Sequence, residues 1–266
     1  MKKLLITASF VVAIAAPAQD WAKAKLEKSP RHQEWVKVEN GKRKVESFVV
    51  YPEVKDKATA VIVIHEIFGL SDWARLAADE FAEAGYIAIA PDLLSGMAPN
   101  GGGTKELGSD VGKTISGLPP EQITKDLDAV AAYVSKLPAC NGKVVVAGFC
   151  WGGGQTFAYA THNKDIKAAL SFYGPMPREE AAIKRIECPV YGFYGENDNR
   201  IDSMIPKAEE MMKAAGKKYE PVIYKGAGHG FMRAGEDPTA KGASAQANKK
   251  AREEAWARIK EILRKI

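Results

Sequence analysis

A chain of 266 residues, 46% hydrophobic and 27% charged, is long enough for one large domain with a sizeable core, and its composition excludes collagen, coiled coil and bulk disorder. The formal charge of +5 is scattered over 38 basic and 33 acidic side chains without a basic stripe, so no nucleic-acid partner is expected. The glycines include no phosphate-cradling loop with its lysine, which argues against a nucleotide cofactor.

Lys2 and Lys3 precede an apolar run over residues 4–15, and Ala16-Pro17-Ala18 supplies small residues before Gln19. This is the pattern of a secretory signal peptide over residues 1–18, with an uncleaved anchor as the alternative. The run is short for a bilayer, and no other segment approaches membrane-helix length. The expectation is a periplasmic or secreted protein with no membrane span after signal removal, acting as a monomer. Residues 19–33 read as a charged leader, either mobile or a short surface helix, and 34–266 as a single domain.

Residues 35–38 and 45–51 flank Asn40-Gly41, a dipeptide suited to a tight hairpin, and predict two antiparallel edge strands. Residues 60–65 and 86–90 are apolar without alternation, as in strands buried on both faces. Between them Trp73, Leu76, Ala77, Phe81 and Ala84 recur at helical spacing, closed by Gly85. Residues 92–118, with Gly101-Gly102-Gly103, predict a long irregular segment, either disordered or a lid or rim. Pro119-Pro120 opens a helix to residue 136 with Ile123, Leu127, Val130, Ala131 and Val134 on one face.

Strands are predicted at 144–149, 168–173, 189–194 and 221–224, with helices after the first and over 203–215. The closing helix, 249–265, carries a stripe of Ala255, Trp256, Ile259, Ile262, Leu263 and Ile266 that should dock on the sheet. Strands alternating with helices give an α/β fold with a mostly parallel, doubly wound sheet, entered by an antiparallel hairpin.

The run from Val144 to Phe149 enters Cys150 directly, small residues flank the thiol, and a helix-compatible segment follows. That is the layout of a nucleophile elbow with Cys in place of Ser, and Gly148 and Gly152 let strand and helix approach. The local motif alone leaves a small buried cysteine equally open. Cys140 and Cys188 could pair in an oxidising compartment, leaving Cys150 free. A strand predicted between them would separate their ends by about 10 Å, whereas a disulfide needs Cα atoms within about 7 Å.

A thiol at such a turn needs a base, and the base an orienting acid. His229 follows the last predicted strand and Asp198 the one before it, with Glu196 and Asp202 as fallback acids. In a doubly wound sheet these strand ends converge on one edge, and the order nucleophile, acid, histidine is that of α/β-hydrolases. Glu66, after the buried strand 60–65, reaches the same edge, where a buried carboxylate needs a partner or a raised pKa.

His65-Glu66-Ile67-Phe68-Gly69-Leu70, Gly85-Tyr86 with Pro91-Asp92-Leu93, Gly148-Phe149-Cys150-Trp151-Gly152-Gly153, Ser171-Phe172-Tyr173-Gly174 and Gly228-His229-Gly230-Phe231 together resemble the dienelactone hydrolase family of α/β-hydrolases. The resemblance runs from about residue 34 to the C-terminus. It implies the α/β-hydrolase fold and cleavage of an ester or lactone by a Cys150, His229, Asp198 triad, without metal or organic cofactor. It further implies that Glu66 helps Cys150 reach the thiolate when substrate enters. The backbone N–H groups of Ile67 and Trp151 would form the oxyanion hole, and Arg233 and Phe68 would contact substrate, Arg233 through a carboxylate. A second family arginine, expected after Ser95, is replaced by Gly96, and Gly230 stands where a serine is usual. The expected function is therefore a dienelactone-hydrolase-like esterase acting on a small molecule. The alternatives are a general carboxylesterase for short acyl or aryl esters, a non-catalytic binding protein on the same fold, and a thiol sensor, which lacks a nearby resolving cysteine.

Overall fold

The computed structural model of the chain describes residues 19–266, so the signal peptide expected over residues 1–18 lies outside the described residues. Of the two forms open to the leader, Asp20–Glu27 adopts the helix, α1, and buries Ala22 and Leu26 in the core. Asn40-Gly41, with Gly41 at φ 60°, turns β1 (Gln33–Asn40) back onto β2 (Arg43–Val50). β3 (Ala58–Ile64), α2 (Asp72–Glu83) and β4 (Ile87–Pro91) follow, α2 being capped by the Ser71 hydroxyl, which accepts from the Ala74 N–H.

Residues 92–118 do not form the irregular segment that their glycines predict. They fold into α3 (Thr104–Leu107), a 3₁₀ turn (Gly108–Asp110) and α4 (Val111–Ser116). Leu107, Val111, Ile115 and Leu118 are buried, and that apolar spacing overrides the glycines. The preceding turn is tied down as well: the buried Asp92 carboxylate accepts from the Thr104 N–H at 2.7 Å and the Thr104 hydroxyl at 2.8 Å, and the same hydroxyl accepts from the Leu70 N–H at 3.0 Å.

α5 (Pro120–Val134), β5 (Cys140–Phe149), α6 (Trp151–Ala160) and β6 (Ala169–Phe172) come next, then α7 (Glu180–Ile183), β7 (Val190–Gly195), α8 (Asn199–Asp202) and α9 (Ile205–Ala214). The chain closes with β8 (Tyr219–Tyr224), α10 (Phe231–Ala234) and α11 (Ala243–Leu263), which begins six residues earlier than its apolar stripe predicts. No helix among the described residues is long and apolar enough to cross a membrane.

The strands form one sheet in the order β1-β2-β4-β3-β5-β6-β7-β8. β1, β2 and β4 pair antiparallel, and from β4 through β3 to β8 all pairs are parallel. β2 is therefore an interior strand, and only β1 of the hairpin is an edge. Alternate residues of β3 serve opposite faces. Ala60, Ile62 and Ile64 join α4, α5, α6 and α9, whereas Val61 and Val63 join α1, α2 and α11. Because β4 and β5 lie on opposite sides of β3, the chain reverses direction across the sheet there, and the carboxyl ends of β3 and β5 form the switch point at which open α/β sheets place their ligand sites. Cys140 and Cys188 are both free and buried, with β6 separating β5 from the strand that follows Cys188, so the pairing left open by the sequence does not form.

Candidate active site

The elbow stands at that switch point. Cys150 links β5 to α6 at φ 56°, in the left-handed region that non-glycine residues avoid, and its N–H is held by the Phe172 carbonyl at 3.0 Å. Small neighbours permit the turn. A Cβ on Gly148 would lie 2.2 Å from the Gly152 carbonyl oxygen, and one on Gly152 would lie 2.4 Å from the carbonyl oxygens of both His65 and Ile64. The thiol is left half-buried rather than sealed in the core.

His229 Nε2 lies 3.1 Å from Cys150 Sγ, and His229 Nδ1 is hydrogen-bonded to Asp198 Oδ2. Asp198 is buried at the cap of α8, and β7 and β8 pair up to Gly195 and Tyr224, so the two loops leave the sheet side by side. Burial lowers the pKa of His229, but its hydrogen bonds to Cys150 and Asp198 outweigh this and raise it to about 9. The fallback acids stand aside: Glu196 accepts from the Gly226 N–H at 2.7 Å, and Asp202 Oδ1 is buried without a partner among the described residues.

Glu66 is buried and ion-paired, its Oε2 accepting from Arg233 Nε at 2.8 Å. Burial raises the Glu66 pKa, against the opposing charge of Arg233. Both routes open to a buried carboxylate are thus taken together. The Arg233 guanidinium also sits 5.3 Å from the centre of the Phe68 ring, within cation–π range. Gly230, at φ 75°, leaves room beside the pair: a Cβ there would lie 3.5 Å from Arg233 and 3.9 Å from Glu66.

The Trp151 amide follows Cys150 directly at the start of α6, and the Ile67 amide comes just after β3, the strand paired with β5. Trp151 opens α6, where the helix offers its N–H no acceptor, and the Ile67 N–H donates to no acceptor among the described residues. The Ile67 side chain is exposed.

Two residues that sequence reasoning quoted but gave no role also line the site. Tyr173 has φ 39°, is fully buried, meets the His229 ring edge-on at 5.1 Å, and keeps its hydroxyl without a partner among the described residues. His65 is fully buried behind the Glu66–Ile67 turn. A polar ring closing an otherwise apolar strand was the available signal for His65. No group of His, Cys, Asp and Glu among the described residues has the geometry of a metal site.

A parallel sheet with a strained thiol at the end of β5, and an acid and a histidine after β7 and β8, defines the α/β-hydrolase fold. Residues 45–266 match the profile of the Dienelactone hydrolase family. A candidate carboxymethylenebutenolidase of Escherichia coli (strain K12) is 34% identical over 185 residues, which cover 64% of this chain and 66% of that one, just under two thirds of the relative. Its counterpart in Saccharolobus solfataricus is 31% identical over 258 residues, covering 84% of this chain and 95% of that one. Among solved structures, a candidate dienelactone hydrolase from Klebsiella pneumoniae has a TM-score of 0.75 at 25% identity, over 89% of this chain and 99% of that one. A dienelactone hydrolase from Anabaena variabilis shares the fold, with a TM-score of 0.64 at 21% identity over 84% and 96% of the two chains. The chain belongs to the dienelactone hydrolase family.

Proposed function

We propose that the protein cleaves a small ester or lactone through a covalent thioester on Cys150. The observation that carries this reading is the 3.1 Å approach of His229 Nε2 to the sulfur at a strained elbow. His229 takes the thiol proton, the thiolate forms a bond to the carbonyl carbon, and the displaced electron pair becomes an oxyanion held by the Ile67 and Trp151 N–H groups. Collapse breaks the bond to the leaving alkoxide or enolate, which takes the proton from His229. Water then gives a proton to His229 and attacks the thioester, and collapse of that second tetrahedral intermediate releases the acid and restores Cys150. Asp198 holds the imidazole in orientation and stabilises its cation.

Arg233 is the group that would meet a substrate carboxylate. Such a ligand competes with Glu66 for the guanidinium and leaves a buried carboxylate without its partner near His229, which supports the role of Glu66 in forming the thiolate. A second reading, a general carboxylesterase for uncharged short acyl or aryl esters, is favoured by Gly96, which supplies no cation of its own, while the neighbouring Arg43 guanidinium is taken up by Asp126 and the Ser95 and Leu93 carbonyls.

The purified chain assayed on aryl acetates and on a dienelactone, beside Cys150→Ala and Cys150→Ser, tests both. Loss of turnover by ~10⁴–10⁶-fold in Cys150→Ala is expected. Equal turnover in wild type and Cys150→Ala would return the protein to a non-catalytic binding role, and comparable rates on both substrates would favour the general esterase. Export is part of the proposal, supported by Lys2, Lys3 and the apolar residues 4–15, and the mass of the mature N-terminus shows cleavage after Ala18 or its absence.

A further inference from the structure

His65 follows β3 directly, is fully buried, and makes one hydrogen bond, from Nδ1 to the Glu66 carbonyl oxygen at 2.8 Å. A carbonyl only accepts, so Nδ1 carries the proton. Burial lowers the pKa of this ring, against the opposing charge of Asp92, and Nε2 has no partner among the described residues. His65 is therefore a neutral imidazole in its Nδ1–H form, with a buried lone pair left over. Packing alone does not account for it, since Ile62 and Ile64 show that an aliphatic side chain suits this strand and carries no unpaired polar atom.

What the ring touches supplies the reason. The Glu66 carbonyl and the Ile67 N–H belong to one planar trans peptide and point in opposite directions. Anchoring the carbonyl therefore aims the amide. His65 shares that anchoring with the Gly69 N–H, which reaches the same oxygen at 3.1 Å. The ring also stacks on Trp151, at 5.4 Å between ring centres and 15° between planes. Trp151 carries the second of the two amides proposed for the oxyanion hole. One buried ring thus bears on both segments, the first through a hydrogen bond and the second through stacking.

We infer that His65 is the positioning residue of the oxyanion hole: its Nδ1–H fixes the direction of the Ile67 N–H, and its ring sets the spacing to Trp151. This rests on the thioester reading above. His65 touches neither substrate nor sulfur, so its removal should loosen transition-state binding and leave the nucleophile intact.

The test compares wild type, His65→Ala, His65→Gln and Cys150→Ala by steady-state hydrolysis of an aryl acetate and by the rate of Cys150 alkylation with iodoacetamide, which needs the thiolate but no oxyanion hole. A single lost oxyanion donor lowers kcat by ~10²–10³-fold, so a misaimed one is expected to lower it by about 10- to 100-fold in His65→Ala. KM and alkylation should stay within about twofold of wild type, and His65→Gln, which keeps an N–H donor, should recover most of kcat. Unchanged kcat in His65→Ala would overturn the inference, as would a parallel fall in turnover and alkylation that His65→Gln does not repair. If Cys150→Ala turns over as fast as wild type, the thioester reading fails first and separately. Should His65→Ala not fold, nitrogen NMR of the wild-type ring decides: an Nδ1–H tautomer agrees, and an Nε2–H tautomer, which cannot donate to Glu66, contradicts.

Discussion

Arg233 Nε donates to Glu66 Oε2 at 2.8 Å, joining residues 167 apart in sequence where the segment after β3 meets α10. Glu66 is nearly inaccessible and Arg233 mostly covered, so this pair is held in low dielectric rather than in water. Removing one partner of such a pair costs more than the pair itself contributes, because the other charge stays buried. Arg233→Ala is expected to lower stability by ~3–5 kcal/mol, and Glu66→Gln in the same chain should restore most of it. Glu66 already titrates above the usual carboxylate range in the folded state, and loss of the guanidinium pushes it further. The deficit of Arg233→Ala should therefore shrink as pH falls, when the folded state takes up a proton, and grow as pH rises. Urea melts at several pH values check both; a double variant no more stable than Arg233→Ala would mean that lost packing, not charge, sets the deficit.

His229 offers a titration that reports on Cys150. Its hydrogen bonds to Cys150 and Asp198 overcome burial and raise its pKa to about 9. In Cys150→Ala the imidazole pKa should fall by at least about one unit by NMR. A histidine raised in the folded state contributes stability that is fully present below the unfolded value of 6.5 and is lost as pH climbs through about 9. The stability of wild type relative to Cys150→Ala should accordingly narrow across that window. An unchanged imidazole pKa would show that Asp198 alone governs the ring.

Gly152 is a steric test of the elbow. With a Cβ 2.4 Å from two carbonyl oxygens of the β3 end, Gly152→Ala must push α6 away from β3. Overpacking of this kind costs ~3 kcal/mol, which for a chain of this size lowers Tm by roughly 6–12 °C. Gly41→Ala has open space but sits at φ 60°, so its smaller loss would separate backbone strain from collision. Equal Tm values for Gly152→Ala and wild type would contradict the packing described.

The three thiols should react in two classes. Cys140 and Cys188 are buried, and burial pushes the Cys188 thiol up to about 12, whereas Cys150 is half-buried at the end of β5. Native protein should release one equivalent of thiolate from a disulfide reagent, and denatured protein three without prior reduction. Only one equivalent after denaturation would mean that Cys140 and Cys188 are paired after all.

Much of this was legible in the chain because its signals are local. Asn40-Gly41 marked the hairpin, apolar runs without alternation marked β3, β4 and β5, and the order Cys150, Asp198, His229 after β5, β7 and β8 placed three side chains on one edge. The short helices of 104–116 were hidden because Gly108 and Gly112 interrupt the spacing of Leu107, Val111 and Ile115, which is helical all the same. The start of α11 was hidden because residues 243–248 are mostly small or polar, and only Asn248 is buried there. The Glu66–Arg233 pair had no local signal at all: a carboxylate at a strand end and an arginine four residues past a histidine acquire their relation only when the end of β3 and α10 meet.

The thioester itself can be weighed. Intact-mass measurement of the protein, acid-quenched during turnover of a slowly hydrolysed aryl ester, should show one added acyl group, with peptide mapping placing it on Cys150 and hydroxylamine removing it. No adduct should form on Cys150→Ala under the same conditions. Turnover without any adduct in wild type, or the same adduct in Cys150→Ala, would contradict covalent catalysis by this cysteine.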